Sequence, residues 1–180
     1  MTTTKKVPPR EVPSRDDFYM GMAFWYASKS KDPKTQIGAQ IVSVDNRPLG
    51  WGYNGPPKQF NDNTLNWDRP DKYDYIEHAE VNAIDHTHDR HALAGSTIYV
   101  TGKPCKDCMR KIVKNGIKKV IYFPLKKIAD NSSMFANDAQ MSVTEEIAKL
   151  GGVHISQYNG NLNWMRDRMH FMESLGVFDI

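Results

Sequence analysis

The residues best suited to chemistry lie in two short segments. Tyr75-Ile76-Glu77-His78-Ala79-Glu80-Val81-Asn82-Ala83-Ile84 is followed by Pro104-Cys105-Lys106-Asp107-Cys108, and the second segment holds both cysteines of the chain. Cysteines three apart place both sulfurs on one face of a helix. Pro104 suits a helix start, and the positive end of a helix favours thiolate over thiol. Two thiolates and one imidazole give a zinc ion three ligands and leave a fourth tetrahedral position for water, as in a catalytic rather than a closed structural site. His78 and Glu80 would diverge along the side of a long helix. In a first turn, both lean toward a group off the helix end. Two helix N-termini meeting at one metal is the expected geometry.

Taken singly, each residue has a plainer reading. Two cysteines in a reducing compartment pack as small apolar side chains, a lone histidine is a surface group, and a lone glutamate is a solvated charge. Their joint order, with a proline adjoining, favours the metal. A structural zinc would need a fourth ligand, and only His86, His88 and His91 are near enough in sequence to supply it.

The rest of the chain must hold these groups in place. Its 180 residues suit one domain with a proper core: an extended arm over 1–13, then a single domain over 14–180. At 39% hydrophobic and 25% charged residues the composition is that of an ordinary soluble protein. No apolar run has transmembrane length and the first residues lack a signal-peptide core, so a cytoplasmic protein is expected. Two cysteines at metal spacing do not make a disulfide framework. The net charge of +3 comes with short lysine pairs rather than a basic stripe. That balance suits a small phosphorylated substrate and demands no nucleic-acid track and no membrane.

Ser14 is an N-cap candidate with Asp17 at the third helical position, and Phe18, Met22 and Trp25 mark the core stripe of a helix running to about Ser30. Ile37–Val44 and Leu49–Tyr53 read as a hairpin around Asp45-Asn46-Arg47-Pro48. The polar, aromatic-rich stretch 54–77 is a long loop that delivers the chain to His78, which favours a functional role. A helix starting near His78 ends in Asp85-His86-Thr87-His88-Asp89-Arg90-His91, read as a solvated end in preference to a second metal site. Strands over 96–101 and 118–123 flank a helix over 105–115 that closes on Gly116, the pattern of a βαβ unit with a parallel pair. A loop over 124–137, a helix over 141–150, a strand over 153–157 and an amphipathic helix carrying Met165, Met169 and Met172 complete the chain.

With these residues laid out, the sequence resembles the deoxycytidylate (dCMP) deaminase family of the cytidine deaminase-like superfamily. His-x-Glu followed by Pro-Cys-x-x-Cys is the superfamily's zinc pattern. Ser30-Lys31-Asp32-Pro33-Lys34-Thr35-Gln36-Ile37-Gly38-Ala39 and Gly52-Tyr53-Asn54-Gly55-Pro56-Pro57 narrow it to nucleotide deamination. The similarity spans roughly residues 18–124. It implies a three-layer α/β/α sandwich with a five-stranded mixed sheet, and hydrolysis of dCMP to dUMP with release of ammonia. His78, Cys105 and Cys108 would hold one Zn(2+) per subunit, and Glu80 would shuttle protons from water to ring N3 and the leaving amine.

By position, Asn54 is expected at the sugar 3′-hydroxyl, the Ala79 amide at the base and Lys29 at the 5′-phosphate, with Thr35 and Tyr122 lining the pocket. The resemblance further implies a homo-oligomer, a hexamer in many relatives, activated by dCTP with Mg(2+) and inhibited by dTTP. Gly52, Tyr53, Gly55 and Pro56 are its candidate effector contacts. No extra cysteines exist for the second zinc of some viral relatives. Pro124-Leu125-Lys126-Lys127-Ile128 departs from the acidic, tyrosine-bearing pattern of some cellular ones. The tail beyond Tyr158 lies outside the resemblance.

Two rival readings stand beside this one. A superfamily cousin would act on another pyrimidine, a riboflavin precursor or adenosine in tRNA. A non-enzymatic zinc module would bind single-stranded nucleic acid on Trp51, Tyr53, Phe60 and Trp67.

Overall fold

Strand β1 (Gly38–Val42) is buried along its whole length, as a central strand covered on both faces must be. A computed structural model describes residues 9–68, 70–125 and 138–178. In it β1 pairs antiparallel with β2 (Pro48–Tyr53) on one side and β3 (Thr97–Val100) on the other. β4 (Lys119–Tyr122) and β5 (His154–Gln157) add in parallel, giving the order β2-β1-β3-β4-β5. The five-stranded mixed sheet expected from sequence is present. Asn46 turns the hairpin at φ 68°, a left-handed conformation that asparagine tolerates better than most residues.

Side chains alternate across the sheet and so build two cores. Ile41, Ile98, Val100 and Val120 face a layer formed by α2 (Ala79–Asp85), α3 (Lys106–Lys114) and α4 (Asp138–Leu150), where Ala83, Met109, Ile112 and Ala148 meet them. Val42, Tyr99 and Ile121 face the opposite layer, packed on Tyr19, Met20 and Ala23 of α1 (Arg15–Ala27). Each fully buried isoleucine or methionine contributes roughly 1.5–3 kcal/mol. The C-terminal helix α5 (Asn163–Ser174) rests on α1, with Trp164 stacked on Phe18 at 5.9 Å between ring centres. Its Met165, Met169 and Met172 are half-buried.

Ser14 caps α1 as expected, accepting from the Asp17 N–H at 3.1 Å. The helix ends at Ala27 rather than Ser30, and its core stripe is rotated from the one read in sequence. Phe18 and Trp25 are 41% and 45% exposed, whereas Tyr19, Met20, Ala23 and Ala27 are buried. The reason is the approach of Gly38, where a Cβ would fall 1.9 Å from the Ala23 carbonyl oxygen. So close a contact requires the small residues Ala23 and Ala27 on the inner face. Residues 126–137, with most of the expected loop, and residues 1–8 of the expected arm lie outside those described. Among the described residues, no helix is long and apolar enough to cross a membrane.

On the other layer, a Cβ at Gly52 would lie 2.4 Å from both the Ala79 carbonyl oxygen and the Ala83 nitrogen. The first turn of α2 is thus seated directly on the backbone of β2. That contact fixes where His78 and Glu80 begin.

Candidate active site

His78 and Cys105 occupy the N-cap positions of α2 and α3, and Cys108 lies in the first turn of α3. N-caps are usually Ser, Thr, Asp or Asn, whose side chains accept from the orphan N–H groups of the first turn, and losing such a cap costs about 1 kcal/mol. Neither His78 nor Cys105 makes a capping bond. Both forgo that local stabilisation and point instead at each other, the kind of local rule-breaking expected at a functional site. Pro104 sits one residue before the cap, ahead of the first helical position.

The Nδ1 atom of His78 is 3.6 Å from Cys105 Sγ and 3.3 Å from Cys108 Sγ. All three donor atoms lie within 4.8 Å of one another. This spacing can be tested against zinc directly. Tetrahedral bonds of about 2.3 Å to sulfur and about 2.0–2.1 Å to nitrogen place N and S roughly 3.5 Å apart. The donor set fits zinc in both chemistry and separation.

Glu80 is buried, and the same turn brings its carboxyl group within hydrogen-bonding reach of Cys108. Burial pushes its pKa up, with the positive charge of His78 opposing. The hydrogen bond between the two thiols pushes their pKa values in opposite directions. The bond from Cys108 holds Cys105 down to about 3 against burial, with His78 helping, while the bond to Cys105 and then burial push Cys108 up. His78 is raised to about 9 by its contact with Cys105, against burial. A divalent cation displaces the shared protons and takes both sulfurs as thiolates.

His78 and Cys105 of the cluster line a cavity of about 140 Å³, and Cys108 lies outside the lining. Of the residues expected from sequence, Thr35, Asn54, His78, Ala79, Glu80 and Cys105 line it together. Lys29 and Tyr122 are not in its lining. Lys29 is exposed just past α1, and the Tyr122 ring lies 5.5 Å beneath the ammonium of Lys103. Asn54 is held by the preceding loop: its Oδ1 accepts from the Ile37 N–H at 2.8 Å and its amide donates to the Thr35 carbonyl at 2.9 Å. Ala79, at the first helical position, presents an N–H that has no acceptor inside the helix.

Sequence reasoning missed Lys72, Tyr73, Ile76 and Lys103, which also line the cavity. Lys72 is 1% exposed, and its ammonium is 2.5 Å from Asp32 Oδ2. Asp32 Oδ1 in turn accepts from the N–H groups of Lys34 and Thr35. The long loop, threaded through short 3-10 turns at Asp62–Thr64 and Asp71–Asp74, delivers this lysine. Its functional reading is consistent with that placement. His86 contacts the Trp51 carbonyl at 2.9 Å. Among the described residues only His78, Cys105 and Cys108 form a metal-ready group, so the polar end of α2 builds no second one. Trp51 stacks with Tyr26 and with Tyr53, at 5.0 and 6.3 Å between ring centres.

A mixed sheet carrying a His-Cys-Cys set on two helix N-termini, with a buried glutamate beside it, defines a zinc-site deaminase architecture. A model of the cytidine and deoxycytidylate deaminase zinc-binding region matches residues 13–124. The deoxycytidylate deaminase of Mus musculus is 34% identical over 148 residues, 79% of this chain and 78% of that protein. The Homo sapiens deoxycytidylate deaminase is 40% identical over 112 residues, 59% of this chain and 62% of that one. The dCMP deaminase of cyanophage S-TIM5, solved in complex with dCMP and dUMP, matches with a TM-score of 0.60 at 24% identity, over 83% of this chain and 100% of that one. This last likeness establishes a common fold. The chain belongs to the cytidine and deoxycytidylate deaminase family, on its deoxycytidylate branch.

Proposed function

We propose that this protein deaminates dCMP hydrolytically to dUMP and ammonia. The observation that carries the reading is the buried carboxyl group of Glu80, set against a three-donor metal cluster in a cavity that also holds Asn54 and Ala79. His78, Cys105 and Cys108 would hold one zinc per subunit, which supplies an acidified water and Lewis acidity at the reacting carbon. Glu80 would accept a proton from water as the C4–O bond forms and pass it to ring N3, then take the proton of the new C4 hydroxyl and give it to the amine as the C4–N bond breaks. One water is consumed and one ammonia leaves. The Ala79 N–H would donate to the base. The remaining lone pair of Asn54 Oδ1 would accept from the sugar 3′-hydroxyl, with Thr35 beside it.

Ammonia release by zinc-loaded protein from dCMP, dCTP, deoxycytidine and CMP tests this reading. Turnover of dCMP far above the other three is expected. Turnover of none of them, with zinc bound, would discard it.

Regulation belongs to the same proposal: dCTP with Mg(2+) as activator and dTTP as inhibitor of a cytoplasmic homo-oligomer, a hexamer in the favoured form. What supports it is the resemblance, together with the path of Gly52-Tyr53-Asn54-Gly55-Pro56 from the edge strand β2 into the cavity wall. Gly52 is already filled by α2, so any close backbone approach by an effector falls at Gly55, where a Cβ would meet only the Tyr53 ring at 3.9 Å. Rates unchanged by dCTP at limiting dCMP would remove the activator. Particle mass in solution decides the oligomer.

A further inference from the structure

We infer that Lys103 receives the 5′-phosphate of the substrate, and that Glu145 on α4 holds its ammonium in place until phosphate displaces it. This rests on the nucleotide reading above and adds the residue that would distinguish a nucleotide from its nucleoside. Among the described residues that line the cavity, the lysines are Lys72 and Lys103. Their ion pairs differ in kind. The Lys72–Asp32 pair is closed to solvent, with side chains 2% and 3% exposed. Withdrawing Lys72 toward a ligand would leave the Asp32 carboxylate buried without its cation, which is strongly unfavourable.

Lys103 is shielded, its side chain 11% exposed, but its partner Glu145 is 60% exposed at 2.7 Å. Water can solvate Glu145 as soon as the lysine leaves it, and a pair with one partner in solvent contributes little. A phosphate dianion offers more charge and more acceptor oxygens than a single carboxylate, and so wins the exchange. The Tyr122 ring beneath the ammonium favours a cation there whichever anion is bound. This gives Tyr122 a positioning role behind the cavity wall. Lys103 also lies two residues before Cys105, on the segment that carries the metal ligand. Its location is therefore fixed relative to the His78-Cys105-Cys108 cluster.

The test compares zinc-loaded wild type, Lys103→Met, Lys103→Arg and Glu145→Gln, by ammonia release from dCMP and deoxycytidine and by calorimetric binding of dUMP and deoxyuridine. Loss of one charge-assisted contact predicts that Lys103→Met weakens dUMP binding and raises KM for dCMP by about 10- to 100-fold. The nucleosides should be unaffected, and Lys103→Arg should recover much of the loss. Glu145→Gln should tighten dUMP a few-fold, on the order of 2–5, by removing the competing carboxylate. Equal losses for nucleotide and nucleoside would make Lys103 a structural residue and overturn the assignment. So would unchanged dUMP binding in Lys103→Met, or weaker binding in Glu145→Gln. Lys103-dependent dUMP binding without ammonia release from dCMP would uphold Lys103 and refute the proposed reaction. Equal dCMP turnover by wild type and Lys103→Met would do the reverse.

Discussion

Replacing Lys72 by methionine tests whether a buried ion pair holds the cavity wall together. The Lys72–Asp32 pair joins the loop ahead of α2 to the loop ahead of β1, and both side chains are sealed from solvent. Removing one member of such a pair costs about 3–5 kcal/mol, because the other charge stays buried. Asp32 keeps two backbone N–H donors, from Lys34 and Thr35, which places the expected loss near the lower end, about 3 kcal/mol. In a chain of this length, 1 kcal/mol shifts Tm by roughly 2–4 °C, so Lys72→Met should melt about 6–12 °C below wild type. Asp32→Asn strands the ammonium instead and should lose as much or more. Combining the two neutral substitutions removes both charges, and the double variant should recover most of the deficit. Thermal unfolding of the four zinc-loaded proteins gives the coupling directly. Strictly additive losses, or a Lys72→Met Tm within a degree of wild type, would refute the argument. Because Asp32 sets the loop bearing Thr35, KM should also rise more than kcat falls.

Three further outcomes are expected. Glu80→Gln should keep its zinc, measured by atomic absorption, while turnover falls by about 10²–10⁴, the range for a general acid–base residue; near-normal turnover would move the proton shuttle elsewhere. Gly52→Ala should lose roughly 1–3 kcal/mol in denaturant unfolding, because its Cβ would lie 2.4 Å from the α2 backbone, and a neutral result would mean that α2 is not seated on β2 as described. Asp17 is raised by burial but lowered further by hydrogen bonds from Tyr158, Ser14 and the Asn161 backbone, so its folded pKa lies below the ordinary value. Its stabilising contribution is therefore present above the unfolded pKa of about 3.9 and is lost as pH falls through the folded one. Wild type should lose stability more steeply than Asp17→Asn on acidification below about pH 4, and parallel slopes would contradict the shift.

The His78-Cys105-Cys108 cluster and the adjoining Glu80 were legible because their geometry is local. One turn of helix and one cap position suffice to aim each of them, and both are written in a few consecutive residues. The sheet was legible for the same reason: the core of the run Ile37–Val44, observed as Gly38–Val42, buries both faces and states its strand character without help from afar. Lys72 was not legible. In sequence it is a lysine between aspartates in a polar loop, which reads as solvated. Its burial depends on a carboxylate 40 residues earlier, brought opposite by the fold. Lys103 carries the same lesson, since Glu145 lies 42 residues later on another helix. The inner face of α1 was misread because a periodicity search rewards large apolar residues. Here the closest contact, at Gly38, selects alanines.

These failures share a physical cause that bears on the function. Catalytic groups must be held rigidly at one point, which short-range geometry on helix ends supplies. Selection of a charged substrate instead requires counter-charges that the empty protein has to neutralise internally. Such charges are paired across distant segments, because neighbours in sequence share one surface and cannot close a cavity from two sides. Among the described residues, Asp32 with Lys72 and Lys103 with Glu145 are two such pairs, one sealed and one open on the carboxylate side. The sealed pair suits a wall and the open pair suits exchange. The difference in exposure between the two carboxylates is therefore the feature that separates support from recognition in this cavity.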